Sequence, residues 1–218
     1  NNAQMHARTD QTLNRCTQEM LALQAVTDVS NQSNDKLCIV RQALVQAVRV
    51  SGAIEGRVSL WVDDPSDGPA LRSFVQTSSE TETFPDEAEA SSGSVLARLV
   101  QQVLDSDAPR WVQDAFSSNG TLASSVYVAV PILDRESALG GIGLRLDVTG
   151  VGEQFEDPIS FIQKDIRFLN KLAAWTADRL GQVRLCSQVS AAQRRVESIL
   201  ANIEEGVCVV DEDLCVTS

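Results

Sequence analysis

The sequence predicts an α/β protein of the α+β kind, a central antiparallel sheet with helices on one face, a loop and helix over the other, and a long C-terminal helix. Three observations carry this. Strand-like runs at 57–62, 71–76, 124–132 and 138–148 alternate apolar with other residues, so each has one apolar side. Helical periods of three and four residues flank them at both ends of the chain. Between the strands lie short turn-like segments, and the paired runs read as antiparallel hairpins.

The elements follow in order. Leu13, Cys16, Met20, Leu23 and Thr27 step by three, four, three and four, so the first 30 residues are expected to form a helix with a narrow apolar seam. Asn34 is the expected N-cap of a second helix that carries Leu37, Val40, Leu44, Val45 and Val48 on one face and stops at Gly52. Arg57 to Val62, a turn at 63 to 69 and Leu71 to Gln76 make a hairpin. Residues 77 to 92, with Glu80, Glu82, Asp86, Glu87 and Glu89, read as a long solvated loop without calcium-loop spacing. Ser94 to Leu104 is a short helix through Val95, Leu99, Val100 and Val103, and Pro109 to Val112 a brief extended piece. Ser124 to Ile132 and Ala138 to Val148 form a second hairpin around Asp134-Arg135-Glu136-Ser137.

The last helix runs from about Pro158 to Ile203. Ile159, Ile162, Ile166, Leu169, Ala173, Thr176, Leu180 and Val183 form a seam expected to pair lengthwise with another helix. The spacing slips near Cys186 and resumes at Val189, Ala192, Val196, Ile199 and Ile203. Such a helix would extend roughly 65 to 70 Å at 1.5 Å per residue, a connecting rod between modules. Thr176, Ser187 and Ser190 at seam positions are expected to weaken any single register.

Alternation assigns the sheet's two faces. Val58, Leu60, Val62, Val126, Val128, Val130, Ile142, Leu144 and Leu146 share one face, expected against helices. The other face receives Ser59, Trp61, Tyr127, Ala129, Gly143 and Arg145. Residues 77–104 are the natural cover of that face, enclosing a cavity. Arg145, a cation between aromatic walls, suits a carboxylate or phosphate; the alternative, which weighs more, is that it lies near the strand end and is solvated or paired to an acid of the loop. The ligand-binding candidates are Ser59, Trp61, Trp111, Tyr127, Ala129 and Arg145. Gly140-Gly141-x-Gly143 opens an apolar strand and precedes no helix, so it is read as structural rather than phosphate-binding.

Composition narrows the classes. A 218-residue chain with 43% hydrophobic residues can bury one good core. Net charge of −12 and a pI near 4.5 argue against nucleic acid and anionic membranes, and no apolar run approaches a bilayer span. Cys16, Cys38, Cys186, Cys208 and Cys215 are odd in number and widely spaced, which suggests neither disulfides nor zinc and fits reduced thiols in a cytoplasm. His6 is the only histidine and lies outside the expected domain, so haem ligation and histidine base catalysis are not expected. The chain opens without Met and closes just after a strand-like run, as a segment of a larger protein would.

The order Val58 to Val62, Ser94 to Ala97, Asp107 to Asp114, Ser125 to Ile132, Leu139-Gly140-Gly141-Ile142-Gly143-Leu144 and Phe161 to Leu180 resembles a GAF domain over residues 10–182. Ser198 to Leu214 resembles the opening of a PAS domain. The resemblance implies a cytoplasmic sensory domain of a bacterial signalling protein, of the two-component histidine kinase type. It would bind a small ligand, form a homodimer through its terminal helices and pass a shift to a PAS or other output domain. It divides the chain into an N-terminal helix (1–30), a GAF-like domain (31–182), a signalling coiled-coil helix (183–205) and the start of a PAS-like domain (206–218). No catalytic residue, cofactor or metal is assigned. Asn170-Lys171 follows Phe161 and Asp165, the reverse of the order in cyclic-nucleotide-binding GAF domains. A ligand-free dimerisation and spacer module is the alternative, and a cysteine-based reductase a third reading that the cysteine positions disfavour.

Overall fold

The computed structural model describes residues 2–64, 68–77, 94–118, 121–134, 137–148 and 158–201. The chain divides into two units, Asn1–Gly181 and Gln182–Ser218. The described residues form helices α1 (Asn2–Gln32), α2 (Lys36–Ser51), α3 (Val95–Ser106) and α4 (Pro158–Ala201), and strands β1 (Glu55–Asp64), β2 (Gly68–Thr77), β3 (Arg110–Ser118), β4 (Thr121–Asp134) and β5 (Ser137–Asp147). The strands make a five-stranded antiparallel sheet in the order β2-β1-β5-β4-β3. Most of the long loop at 77–92, the tip of the first hairpin, Cys208, Cys215 and the PAS-like segment lie outside the described residues.

Local chemistry explains the helix ends. Asp35, not Asn34, caps α2: its backbone is extended, and its Oδ1 accepts from the Leu37 N–H at 2.9 Å. A carboxylate there satisfies an orphan donor and also meets the positive end of the helix. Gly52 ends α2 in the left-handed region at φ 65°, with its N–H returned to the Val48 carbonyl. Ser94 caps α3, accepting from the Ala97 N–H at 3.0 Å.

Register confirms the two-faced sheet. Val58 pairs with Ile142, Ile142 with Val130, and Leu144 with Val128, so these side chains share a face. All are buried, as are Leu60, Val126 and Leu146, each contributing about 1.5–3 kcal/mol. Helix α2 lies directly on this face. A Cβ at Gly56 would come within 2.5 Å of Val48 Cγ2 and 2.8 Å of Leu44 Cδ1. Strand β3 is longer than the extended piece expected at 109–112. It forms the sheet edge, where Gln113 and exposed Trp111 and Val112 obscure the alternation.

The α1 seam is placed differently from expectation. On α1 the residues Leu13, Cys16 and Met20 are exposed, whereas Ala22 and Val26 are buried. The row Arg15, Glu19, Ala22, Val26 has the same helical period as the more apolar row, and its small Ala22 permits close approach. On α4 the residues Ile162, Leu169, Ala173, Thr176 and Leu180 are buried within Asn1–Gly181 itself. Thr176 turns its hydroxyl back to its own helix, donating to the Leu172 carbonyl at 2.7 Å.

Candidate functional site

Helix α3 covers the sheet's second face. Its buried Leu96, Leu99, Val100 and Val103 form a cluster with Tyr127 and Ala129 of β4. The glycines of β5 make this contact possible. A Cβ on Gly143 would stand 2.9 Å from both Leu96 Cδ1 and Val100 Cγ2, and one on Gly141 would stand 3.2 Å from Val100 Cγ1. Gly141 and Gly143 are thus a platform for α3, whose side chains occupy the centre of a face expected to line a cavity.

Beside this contact lies a polar corner. Register sets Arg145 opposite Tyr127, and Ser125 opposite Asp147. The Arg145 Nε donates to Ser125 Oγ at 3.3 Å, and its Cζ stands 5.9 Å from the centre of the Tyr127 ring. Tyr127 and Ser125 are buried and Arg145 is half-buried. On its other side Arg145 stands opposite Glu55 of β1, and among the described residues no salt bridge joins Arg145 to a carboxylate. Its two Nη groups are therefore a planar fork suited to a carboxylate or phosphate.

The other candidates are distributed around this corner. Ala129 is wholly buried under α3. Ser59, opposite Gly141, is buried and shares a 2.9 Å hydrogen bond with Ser73 Oγ. The four-residue step from Gly141 to Arg145 along β5 separates these two polar spots by about 13 Å. Trp61 is on the same face but 45% exposed. Trp111 pairs with Val128, which places it on the opposite, helix-packed face at the sheet edge. Arg57 was missed, although it shares strand parity with Ser59. It is buried opposite Gly143, and burial pulls its guanidinium below the usual range while Glu55 offsets this.

A second polar group joins α1 to α4. Arg15 Nη2 donates to Asp165 Oδ1, and Arg15 Nε to Glu19 Oε1 at 3.3 Å. Glu19 Oε2 meets Lys171 Nζ at 3.5 Å. Further along, Trp175 Nε1 donates to Thr27 Oγ1 at 2.9 Å. The Asp165 side chain is 1% exposed, and its Oδ2 has no hydrogen-bond partner among the described residues. Burial raises the Asp165 carboxyl above the usual range, with Arg15 opposing. For Arg15 burial acts downward, but Asp165 and Glu19 outweigh it. Both directions follow from one geometry, since only the carboxylate is fully removed from water.

Cys16, Cys38 and Cys186 are exposed. The Cys38 thiol donates to Asp35 Oδ2 at 3.2 Å, and this bond, with burial, raises it away from the thiolate form. Among the described residues no group of His, Cys, Asp or Glu is arranged to hold a metal ion, and no helix is long and apolar enough to cross a membrane.

No protein-family model and no curated protein matches the sequence. Solved structures do. The nlh2 GAF domain of A. Aeolicus in an inactive state aligns with a TM-score of 0.50 at 11% identity, over 77% of this chain and 98% of that one. On that likeness the chain has the GAF fold. A free methionine-R-sulfoxide reductase from Neisseria meningitidis, in complex with its substrate, aligns at TM-score 0.48 and 16% identity over 77% and 91% of the two chains. The GAF domain of a phosphoenolpyruvate-protein phosphotransferase from Coxiella burnetii aligns at 0.45 and 12% over 79% and 98%.

Proposed function

We propose that this chain is the sensory GAF module of a cytoplasmic signal-transduction protein, and that it binds a small carboxylate or phosphate ligand at Arg145. The observation that carries the reading is the Arg145 fork, oriented by Ser125 and Tyr127 with no carboxylate partner among the described residues. A ligand there touches β4 and β5 beside the α3 contact. Occupancy favours one packing of the terminal helices, and α4 passes the change to a PAS, histidine kinase or other output module. Within the second unit Leu185, Val189, Ala192, Val196 and Ile199 step by four, three, four and three and are all exposed. That spacing supports a coiled-coil homodimer as the output.

Thermal melting of the chain and its R145Q variant, with a panel of small carboxylates and phosphate monoesters, tests this. A ligand at 100 times its Kd stabilises by about 2.7 kcal/mol, so at least one compound is expected to raise the melting point of the unsubstituted chain alone. Equal responses in both proteins would sink the Arg145 site. One observation favours a second reading, a ligand-free dimerisation and spacer module. The centre of the covered face is filled by Leu96 and Val100 resting on Gly143. That reading expects no response in either protein.

A further inference from the structure

The Arg15–Asp165 pair is a poor stabilising element by its own geometry. A carboxylate has been taken almost wholly out of water, yet only one of its oxygens is bonded among the described residues. An apolar pair of similar volume is often at least as stable in such a place. What the pair does supply is position. Arg15 with Asp165, Glu19 with Lys171 and Thr27 with Trp175 occur in the same order along both helices, so α1 and α4 run in the same direction. Apolar contact alone defines that alignment weakly. The row through Arg15, Glu19, Ala22 and Val26 lies beside a more apolar row of the same period, through Leu13, Cys16, Met20, Leu23 and Thr27. A rotation of α1, or a slide by one turn of about 5.4 Å, would offer α4 another usable surface.

We propose that the buried Arg15–Asp165 pair is a register pin, which selects one alignment of α1 against α4 and leaves that alignment free to change when the pair is broken. The pin acts on positions remote from itself. Thr27 lies twelve residues beyond Arg15, about 18 Å along α1, and holds the Trp175 indole through a single hydrogen bond. The indole N–H of Trp175 therefore reports the register without touching the pin. This inference is independent of any ligand at Arg145.

The test is a two-dimensional NMR spectrum of the whole chain, with the Trp175 indole signal assigned by W175F. In R15M/D165L the melting temperature is expected to hold or rise, while the Trp175 signal moves and splits as α1 samples more than one alignment. A single signal at its original position would overturn the pin. A double variant that does not fold would also overturn it, because the pair would then serve stability rather than register. D165L alone supplies a second check, since Arg15 keeps Glu19 as its partner and the fold is retained. Its Trp175 signal is expected to move, and an unmoved signal contradicts the proposal.

Discussion

Arg15 and Asp165, 150 positions apart in the chain, meet side chain to side chain between α1 and α4. The two ends of the first unit are joined by a charge pair in which one partner is buried and the other stays partly in water. That asymmetry dictates the response to substitution. R15M leaves a buried carboxylate without a cation and is expected to cost about 3–5 kcal/mol in urea unfolding. D165N leaves Arg15 with Glu19 and is expected to cost far less. Equal losses would contradict this order.

The same pair makes stability depend on pH. Arg15 and Glu19 of α1 and Lys164 of α4 act on Asp165, but burial dominates and raises its carboxyl. Between the unfolded value, about 3.9, and the higher folded one, the folded state holds more protons than the unfolded state. The contribution of Asp165 is then fully present below the unfolded value and is lost as pH rises through the folded one. The melting temperature of the unsubstituted chain minus that of D165N is expected to fall across this window. A difference that rises with pH would reverse the sign and refute the assignment.

Gly143 is the tightest point under α3. G143A puts a methyl group 2.9 Å from the ends of Leu96 and Val100 and 3.2 Å from the Val128 carbonyl oxygen. The two side chains can yield, but the strand backbone cannot, and a loss of about 1–3 kcal/mol is expected. An unchanged urea midpoint would show that α3 is not held against β5.

Ser94 anchors the start of that cover. S94A removes the acceptor for the Ala97 N–H and is expected to cost about 1 kcal/mol. Hydrogen exchange should locate the effect, with faster amide exchange in α3 and little change in β4 and β5. Uniform acceleration throughout the sheet would mean that α3 does not open on its own.

Much of this arrangement was legible from local signals. Alternation identified the buried side of Val58, Val128 and Leu144, and Gly52 marked the end of α2, because strand parity and a left-handed cap are properties of short sequence windows. What escaped were choices between equivalent patterns. The α1 row through Leu13 and Met20 is more apolar than the row containing Ala22 and Val26, yet the latter is buried, and it is the row that carries Arg15 and Glu19 with their partners on α4. Asp165 lies between Ile162 and Leu169 on the buried stripe, and a charge in that place was the available signal. Of the site candidates, Tyr127 and Arg145 were correctly brought together by parity. Trp111 belongs to an edge strand whose pairing with Val128 places it on the other face, and this depends on register rather than composition.

Native mass spectrometry of the chain and its R145Q variant, each supplied with a mixture of small carboxylates and phosphate monoesters, tests the sensory reading most directly. A small acid retained by the unsubstituted chain and absent from R145Q is the expected result. Bare protein in both samples, or the same adduct on both, would contradict a ligand site at Arg145.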